Sequence, residues 1–233
     1  MSANESPDDD AACVVFFDCD NTLFDNDRFK SDLDERLQRD FGPSHAARYW
    51  ALYEDSRARL GYADYLGTVQ RFGLEVPGDL RVAQLSLYLL SYPFADRVYP
   101  GALDAIAHAR DWGMPAILSD GDLVFQPYKL QRAGLWDAVD GRVLIYTHKD
   151  KSLDDVMRRL PARHYVMVDD KLSILASMKA VLAERLTTVW PRQGHYAREA
   201  HTADFPAADL VVDEIADVAR FDFSRILASA RRA

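Results

Sequence analysis

The apolar residues of this chain fall into two rhythms. Near the start, Val14-Val15-Phe16-Phe17 runs straight into Asp18-Cys19-Asp20-Asn21-Thr22-Leu23-Phe24. A continuous apolar run of this kind predicts a strand buried on both faces. The period then lengthens. Phe29, Leu33 and Leu37 recur every fourth residue, as on one face of a helix. Residues 46–60 predict a second helix, opened by Pro43 or Ser44 and stopped by Gly61. Residues 62–72 predict a third, ending at Gly73, and residues 79–91 a fourth after Pro77-Gly78. Beyond Tyr99-Pro100-Gly101 comes a helix that stops at Gly113, and then strands and helices alternate. Strands are expected at 115–118, 142–146, 164–168, 187–190 and 210–212. Helices are expected at 124–133, 153–160, 172–186 and 215–219. Such alternation predicts a parallel sheet with helices on both faces. Residues 11–25 and 93–233 would form this α/β core, and residues 26–92 an all-helical insert joined to it at two crossings.

A chain of 233 residues has room for one large α/β domain, or for a core with a smaller insert. Lys and Arg total 28 against 37 Asp and Glu, a formal net charge of −9. That argues against a nucleic-acid partner, which needs a basic face. It leaves open a small phosphorylated substrate, which needs only local positive charge. The two cysteines, Cys13 and Cys19, suggest neither a disulfide framework nor a zinc site and are read as packing residues. No apolar run reaches the length of a membrane span. Residues 1–10 are acidic and polar, unlike a signal or transit peptide. They are expected to form a disordered tail, and the protein to be cytoplasmic.

The chemistry collects at the ends of the strands. In a parallel sheet these tips share one edge, where open α/β folds place their ligands. They carry Asp18-Cys19-Asp20, Ser119-Asp120-Gly121-Asp122, Thr147-His148-Lys149-Asp150-Lys151, Asp169-Asp170-Lys171 and Pro191-Arg192-Gln193-Gly194-His195. If Asp18 and Asp20 stood about 4 Å apart, they would repel by about 4 kcal/mol at an effective dielectric of 20. A cation, a proton or a lysine would have to relieve that. Taken singly, each tip has a plainer reading. Asp18 and Asp20 read as an acidic turn, and Ser119 reads equally well as the N-cap of the next helix.

Taken together and in order, DxDxT, a Ser after a strand, a Lys, and a paired Asp after another strand resemble the haloacid dehalogenase superfamily of hydrolases. The resemblance runs from about Ala11 to the closing helix. It implies a three-layer Rossmann-like parallel sheet, with strand four beside strand one and strand two on its other flank. The helical insert resembles the superfamily's first-position cap domain. By the same resemblance Asp18 is the nucleophile and Asp20 the general acid and base, its pKa expected to be raised by crowding with like charge. Ser119 binds phosphate with Asp120 and Gly121, the glycine letting backbone N–H groups approach closely. Either Lys149 or Lys151 would neutralise the phosphoryl group: the spacing to the next helix fits the family pattern better for Lys151, while placement directly at the strand tip favours Lys149, the residue expected here. Thr22 locks the loop. Mg2+ is the implied cofactor, with Asp18, Asp20, Asp169 and Asp170 as the metal set: Asp20 by its backbone carbonyl, Asp170 as direct ligand, and Asp169 through water or as an orienter.

The expected function is a Mg2+-dependent phosphatase acting on a small phosphomonoester through an aspartyl-phosphate. The superfamily's dehalogenases lack an acid two residues after the nucleophile, since displaced halide needs no proton. A phosphosugar mutase would keep Asp20, and a non-catalytic binding protein on this fold is the alternative of another class. Specificity is expected in the insert, where Arg59, Tyr62 and Tyr65 stand out. Arg192, His195 and Tyr196 are read as packing a loop, and His45, His108 and His201 as structural.

Overall fold

The computed structural model describes residues 11–199 and 204–222. Residues 1–10 and His201 lie outside them. The first strand, β1 (Ala11–Phe17), is followed by four helices: α1 (Asn26–Phe41), α2 (Pro43–Leu60), α3 (Tyr65–Glu75) and α4 (Leu80–Ser91). Then come α5 (Ala102–Ala109), β2 (Met114–Asp120), α6 (Phe125–Arg132), α7 (Leu135–Ala138) and β3 (Val143–Tyr146). The chain continues with α8 (Leu153–Arg159), β4 (Ala162–Val168), α9 (Leu172–Leu182), β5 (Leu186–Pro191), α10 (Gly194–Glu199) and β6 (Leu210–Val212). A closing turn of 3-10 helix spans Ile215–Arg220.

The strands form one sheet in the order β3-β2-β1-β4-β5-β6, and every pairing is parallel. β1 therefore lies at the centre, flanked by β2 and β4, as the resemblance implied. Successive side chains of a strand face opposite sides. Cys13, Val15 and Phe17 pack with α5, α6 and the insert, while Val14 and Phe16 pack with α8 and α9. Both faces of the sheet are covered, which gives the three-layer Rossmann-like architecture.

Local chemistry explains most helix ends. Asp25, Asp64 and Asp79 cap α1, α3 and α4, each side chain accepting a backbone N–H. Gly61 ends α2 in the left-handed conformation. Three boundaries depart from expectation. Helix α3 starts at Tyr65, where Asp64 caps it, and runs through Gly73 to Glu75. A Cβ on Gly73 would lie 3.2 Å from Val82 Cγ1, so that glycine lets α4 pack close rather than ending the helix. Helix α9 stops at Leu182, because Ala183 turns to a φ of 49°, and Leu186 already belongs to β5. The short helices α7 and α10 were not foreseen.

The insert and the sheet share one apolar cluster. Phe29 from α1 meets Tyr65 and Tyr92 of the insert region with ring centroids 5.1 and 4.9 Å apart. It also meets Phe94 and Phe125 at 5.9 and 6.2 Å. Phe29 is fully buried. Replacing it by Ala should cost about 3–5 kcal/mol, the usual scale for emptying an aromatic core position. Because the cluster is continuous, urea unfolding of the variant should remain a single transition by fluorescence and circular dichroism. Two separate transitions would show that the insert folds independently.

Candidate active site

The chain leaves β1 through a tight loop. The Cys19 carbonyl accepts the backbone N–H groups of Leu23 and Phe24, both at 2.9 Å. Asn21 takes a φ of 62°, a conformation asparagine tolerates well, and its side chain bonds Asp27. This loop sends Asp18 and Asp20 to different partners.

Asp18 turns into the sheet edge and is buried. Its Oδ1 lies 2.5 Å from Lys149 Nζ, and the same nitrogen lies 2.6 Å from Asp169 Oδ2. Lys149 also donates to the Leu118 carbonyl at 3.2 Å. The ammonium is 1% exposed, whereas Lys151 is exposed. Burial alone would push the Lys149 ammonium down, but the charges of Asp169, Asp18 and Asp120 outweigh it and hold its pKa above the ordinary value. Burial, reinforced by Asp169 and opposed by Lys149 and Lys171, pushes Asp18 up to about 7.

Asp18, Asp169 and Asp170 each present an oxygen within 4.8 Å of the others, and all three are buried. At that separation each pair of charges repels by about 3–4 kcal/mol at an effective dielectric of 20. Asp169 is engaged, with Lys149 on one oxygen and the Lys171 backbone N–H, at 2.8 Å, on the other. Asp170 differs. Its backbone N–H donates to Thr22 Oγ1 at 3.0 Å, and its carbonyl accepts from the Trp190 indole at 2.9 Å. Both of its carboxylate oxygens, and Asp18 Oδ2, are buried without a hydrogen-bond partner among the described residues. Burial, then Asp169 and Asp18, push Asp170 well above the carboxylate range. Orphaned, hard oxygen atoms beside a surplus of negative charge fit a divalent ion such as Mg2+.

The carboxylate of Asp20 is not part of this cluster. It faces α6, where Lys129 Nζ pairs with Oδ1 and Gln126 Nε2 reaches Oδ2 at 3.4 Å. The expected crowding of Asp18 against Asp20 is therefore replaced by a separate ion pair. The Asp20 carboxylate is thus not among the clustered metal-ligating oxygens, which come from Asp18, Asp169 and Asp170. Lys129 is fully buried and lies over the Phe24 ring, 5.1 Å from its centroid. Gln126 donates to Ser119 Oγ at 2.9 Å, so Ser119 caps no helix; Asp122 takes the N–H groups of Val124 and Phe125 instead. Neither Gln126 nor Lys129 was singled out in the sequence. Their signal was there: two polar residues three apart on the face that also carries Phe125 and Leu130, all four buried.

The remaining sequence candidates divide. Asp120 accepts the Lys149 backbone N–H at 2.7 Å and borders a cavity of about 200 Å3 together with Asp20 and Lys171. Gly121 spends its own N–H on the Tyr146 carbonyl at 3.0 Å, so it does not offer that group to a phosphate. A Cβ there would lie 2.9 Å from Gln126 Cγ; its smallness serves the packing of Gln126. It borders a larger cavity, about 680 Å3, lined also by Leu123, Val124 and Ile145 and by none of the clustered acids. His195 and Tyr196 border the smaller cavity. His195 Nδ1 lies 2.5 Å from Asp27 Oδ1, and Tyr196 accepts from Arg57 at 2.9 Å. Arg192 pairs with Asp213 away from it. Of the three insert residues that stood out in the sequence, Tyr62 borders the cavity, Tyr65 is buried in the aromatic cluster and Arg59 faces Asp55 on the surface.

No curated protein matches the chain. Among solved structures, a haloacid dehalogenase-like hydrolase from Burkholderia xenovorans is 56% identical, covering 91% of this chain and 99% of that one with a TM-score of 0.84. A second such hydrolase, from Xanthomonas campestris, is 18% identical over 97% of each chain, with a TM-score of 0.64. L-2-haloacid dehalogenase from Xanthobacter autotrophicus, with chloropropionic acid covalently bound, is 17% identical over 91% of this chain and 98% of that one, with a TM-score of 0.60. The last two share the fold. The family model for haloacid dehalogenase-like hydrolases matches residues 14–181, a span that holds every acid and lysine of the site, and the chain belongs to that family.

Proposed function

We propose that the protein is a Mg2+-dependent phosphatase that hydrolyses a small phosphomonoester through an aspartyl-phosphate on Asp18. The observation that carries this reading is the placement of Asp20. A second carboxyl, kept apart from the buried acid cluster by Lys129 and Gln126, borders the cavity. Halide leaves without a proton, so a dehalogenase has no use for such a group. An alkoxide leaving a phosphate ester needs one.

In the first half-reaction Asp18 attacks phosphorus, the bond to the ester oxygen breaks, and Asp20 delivers a proton to that oxygen. In the second, Asp20 takes a proton from water, the water oxygen attacks phosphorus, and phosphate leaves Asp18 regenerated. Lys149 balances charge on Asp18 and on the phosphoryl oxygens. Ser119, oriented by Gln126, supplies a hydroxyl to them. Mg2+ would be held by Asp18 and Asp170, with the Asp20 carbonyl, and would neutralise phosphoryl charge. Asp169, tied to Lys149 and to the Lys171 N–H, suits the orienting role. Residues 26–92 would act as the cap over this edge.

Four measurements test the reading. With Mg2+ present, a screen of phosphorylated metabolites should release phosphate; turnover of a 2-haloacid with none of any phosphate would overturn it. Mg2+ at a hundred times its Kd should stabilise the fold by about 2.7 kcal/mol, seen as a rise in Tm, and Asp170→Asn should remove most of that rise. Lys149→Ala should reduce turnover far more than Lys151→Ala, and the reverse order would exchange their roles. Finally, Asp20→Asn should slow hydrolysis of alkyl phosphates by about 10²–10⁴-fold. Its effect on the p-nitrophenyl phosphate burst, which reports only the first step with a weakly basic leaving group, should be much smaller. Equal losses would assign Asp20 a structural role.

A further inference from the structure

The cavity beside Asp20 has two unlike walls. The wall from the sheet edge carries Asp20, Asp120 and Lys171; the wall from the insert carries Asn26, Lys30 and Arg57. In a chain with a net charge of −9, two cations on one small wall call for a partner. Arg57 has partners of its own in Tyr196, at 2.9 Å, and Glu54, at 3.4 Å. Lys30 does not. Among the described residues no carboxylate lies within 4 Å of its ammonium and no acceptor takes its hydrogens. Instead Nζ sits over the rings of Trp50 and Tyr53, 5.4 and 5.2 Å from their centroids. Ring faces attract a cation without consuming its N–H donors, so all three remain to be given. Burial lowers the ammonium, Glu54, Asp27 and Asp20 oppose that from a distance, and Arg57 adds to it.

One helical turn before Lys30 on α1 stands Asn26. Its Oδ1 is buried without a hydrogen-bond partner among the described residues. An orphaned acceptor beside an unspent cation describes a ligand end: an anionic group for Lys30 and a hydroxyl or amine donor for Asn26. The volume, about 200 Å3, lies below the roughly 300–1,000 Å3 of pockets for drug-sized ligands. It suits a backbone of a few carbons.

We propose that this cavity selects phosphomonoesters carrying a second anionic group, with Lys30 as the residue that reads it. The proposal rests on the phosphatase reading above and names its substrate class. The reacting phosphoryl group would lie at Asp18, Ser119 and Lys149, and the second anion against the insert wall. A carboxylate and a second phosphate offer the same chemistry to an ammonium, and the test separates them.

The experiment compares matched substrates of two to four carbons: alkyl phosphates ending in a hydroxyl, in a carboxylate, or in a second phosphate. The wild-type protein with Mg2+ should favour at least one anionic series over the hydroxyl series by roughly 10–100-fold in kcat/KM, the scale of a charge-assisted hydrogen bond. Most of the difference should lie in KM. Lys30→Met keeps a long apolar stem between the two rings and removes the charge; it should lower the ratio of anionic to hydroxyl substrate by tenfold or more. Lys30→Arg should keep most of it. Whichever anionic series is favoured identifies the second group. A wild-type protein that hydrolyses all three series alike, or a ratio unchanged in Lys30→Met, overturns the proposal and leaves the phosphatase reading standing. No hydrolysis of these or of p-nitrophenyl phosphate overturns both.

Discussion

A buried ammonium set between two carboxylates organises the working edge of this protein. Lys149 reaches Asp18 from β1 and Asp169 from the end of β4, while bonding the Leu118 carbonyl of β2. Its own backbone N–H is taken by Asp120 at the end of β2. One residue after β3 thus ties together the tips of four strands. Moving ions out of water costs several kcal/mol each, even after relaxation. Only close opposite charges offset that, and Lys149 cannot offset it fully. Three acids share its neighbourhood and a partly buried Lys171 is the other cation facing them. Burial first, and after it the neighbouring acids, raise the pKa of Asp18 and of Asp170 and so favour a proton on them. A divalent ion would replace that proton with a charge of the right size. In the proposed reading, Mg2+ held by Asp18 and Asp170 would balance the acids there.

The second constraint is separation. Two acids one residue apart would compete for the same counter-charge if they pointed the same way. The loop held by the Cys19 carbonyl and by the left-handed Asn21 gives each its own lysine. Lys149 serves Asp18, and Lys129 serves Asp20. Two carboxylates one residue apart thus sit in different environments, the condition under which like groups can take the unlike roles proposed for them. The insert completes the arrangement through Phe29, whose burial against Tyr92 and Phe125 joins α1 to α6 of the core. Lys30, the next residue, is carried to the cavity wall by that anchoring.

Much of this was legible in the residues themselves. Apolar runs with period near two or near 3.6, broken by Gly and Pro, determine which segments become strands and which become helices. The alternation determines a parallel sheet, and a parallel sheet brings all strand tips to one edge. That ground put Asp18, Ser119, Lys149, Asp169 and Asp170 on one edge, and their order along the chain, through its resemblance to the haloacid dehalogenase superfamily, singled them out. What tertiary structure decided was direction and partnership. The two-residue period of a strand ends where the strand ends, so nothing local says that Asp20 turns away from Asp18; the loop and α6 decide it. Gln126 and Lys129 share a helix face with Phe125 and Leu130, but only the fold places the Asp20 and Ser119 side chains opposite them. Lys30 reads as one more solvated lysine until α2 supplies Trp50 and Tyr53. Local pattern depends on the backbone's own geometry, which the chain carries everywhere. The charge environment of a side chain depends on residues a hundred positions away, and only folding brings those within reach.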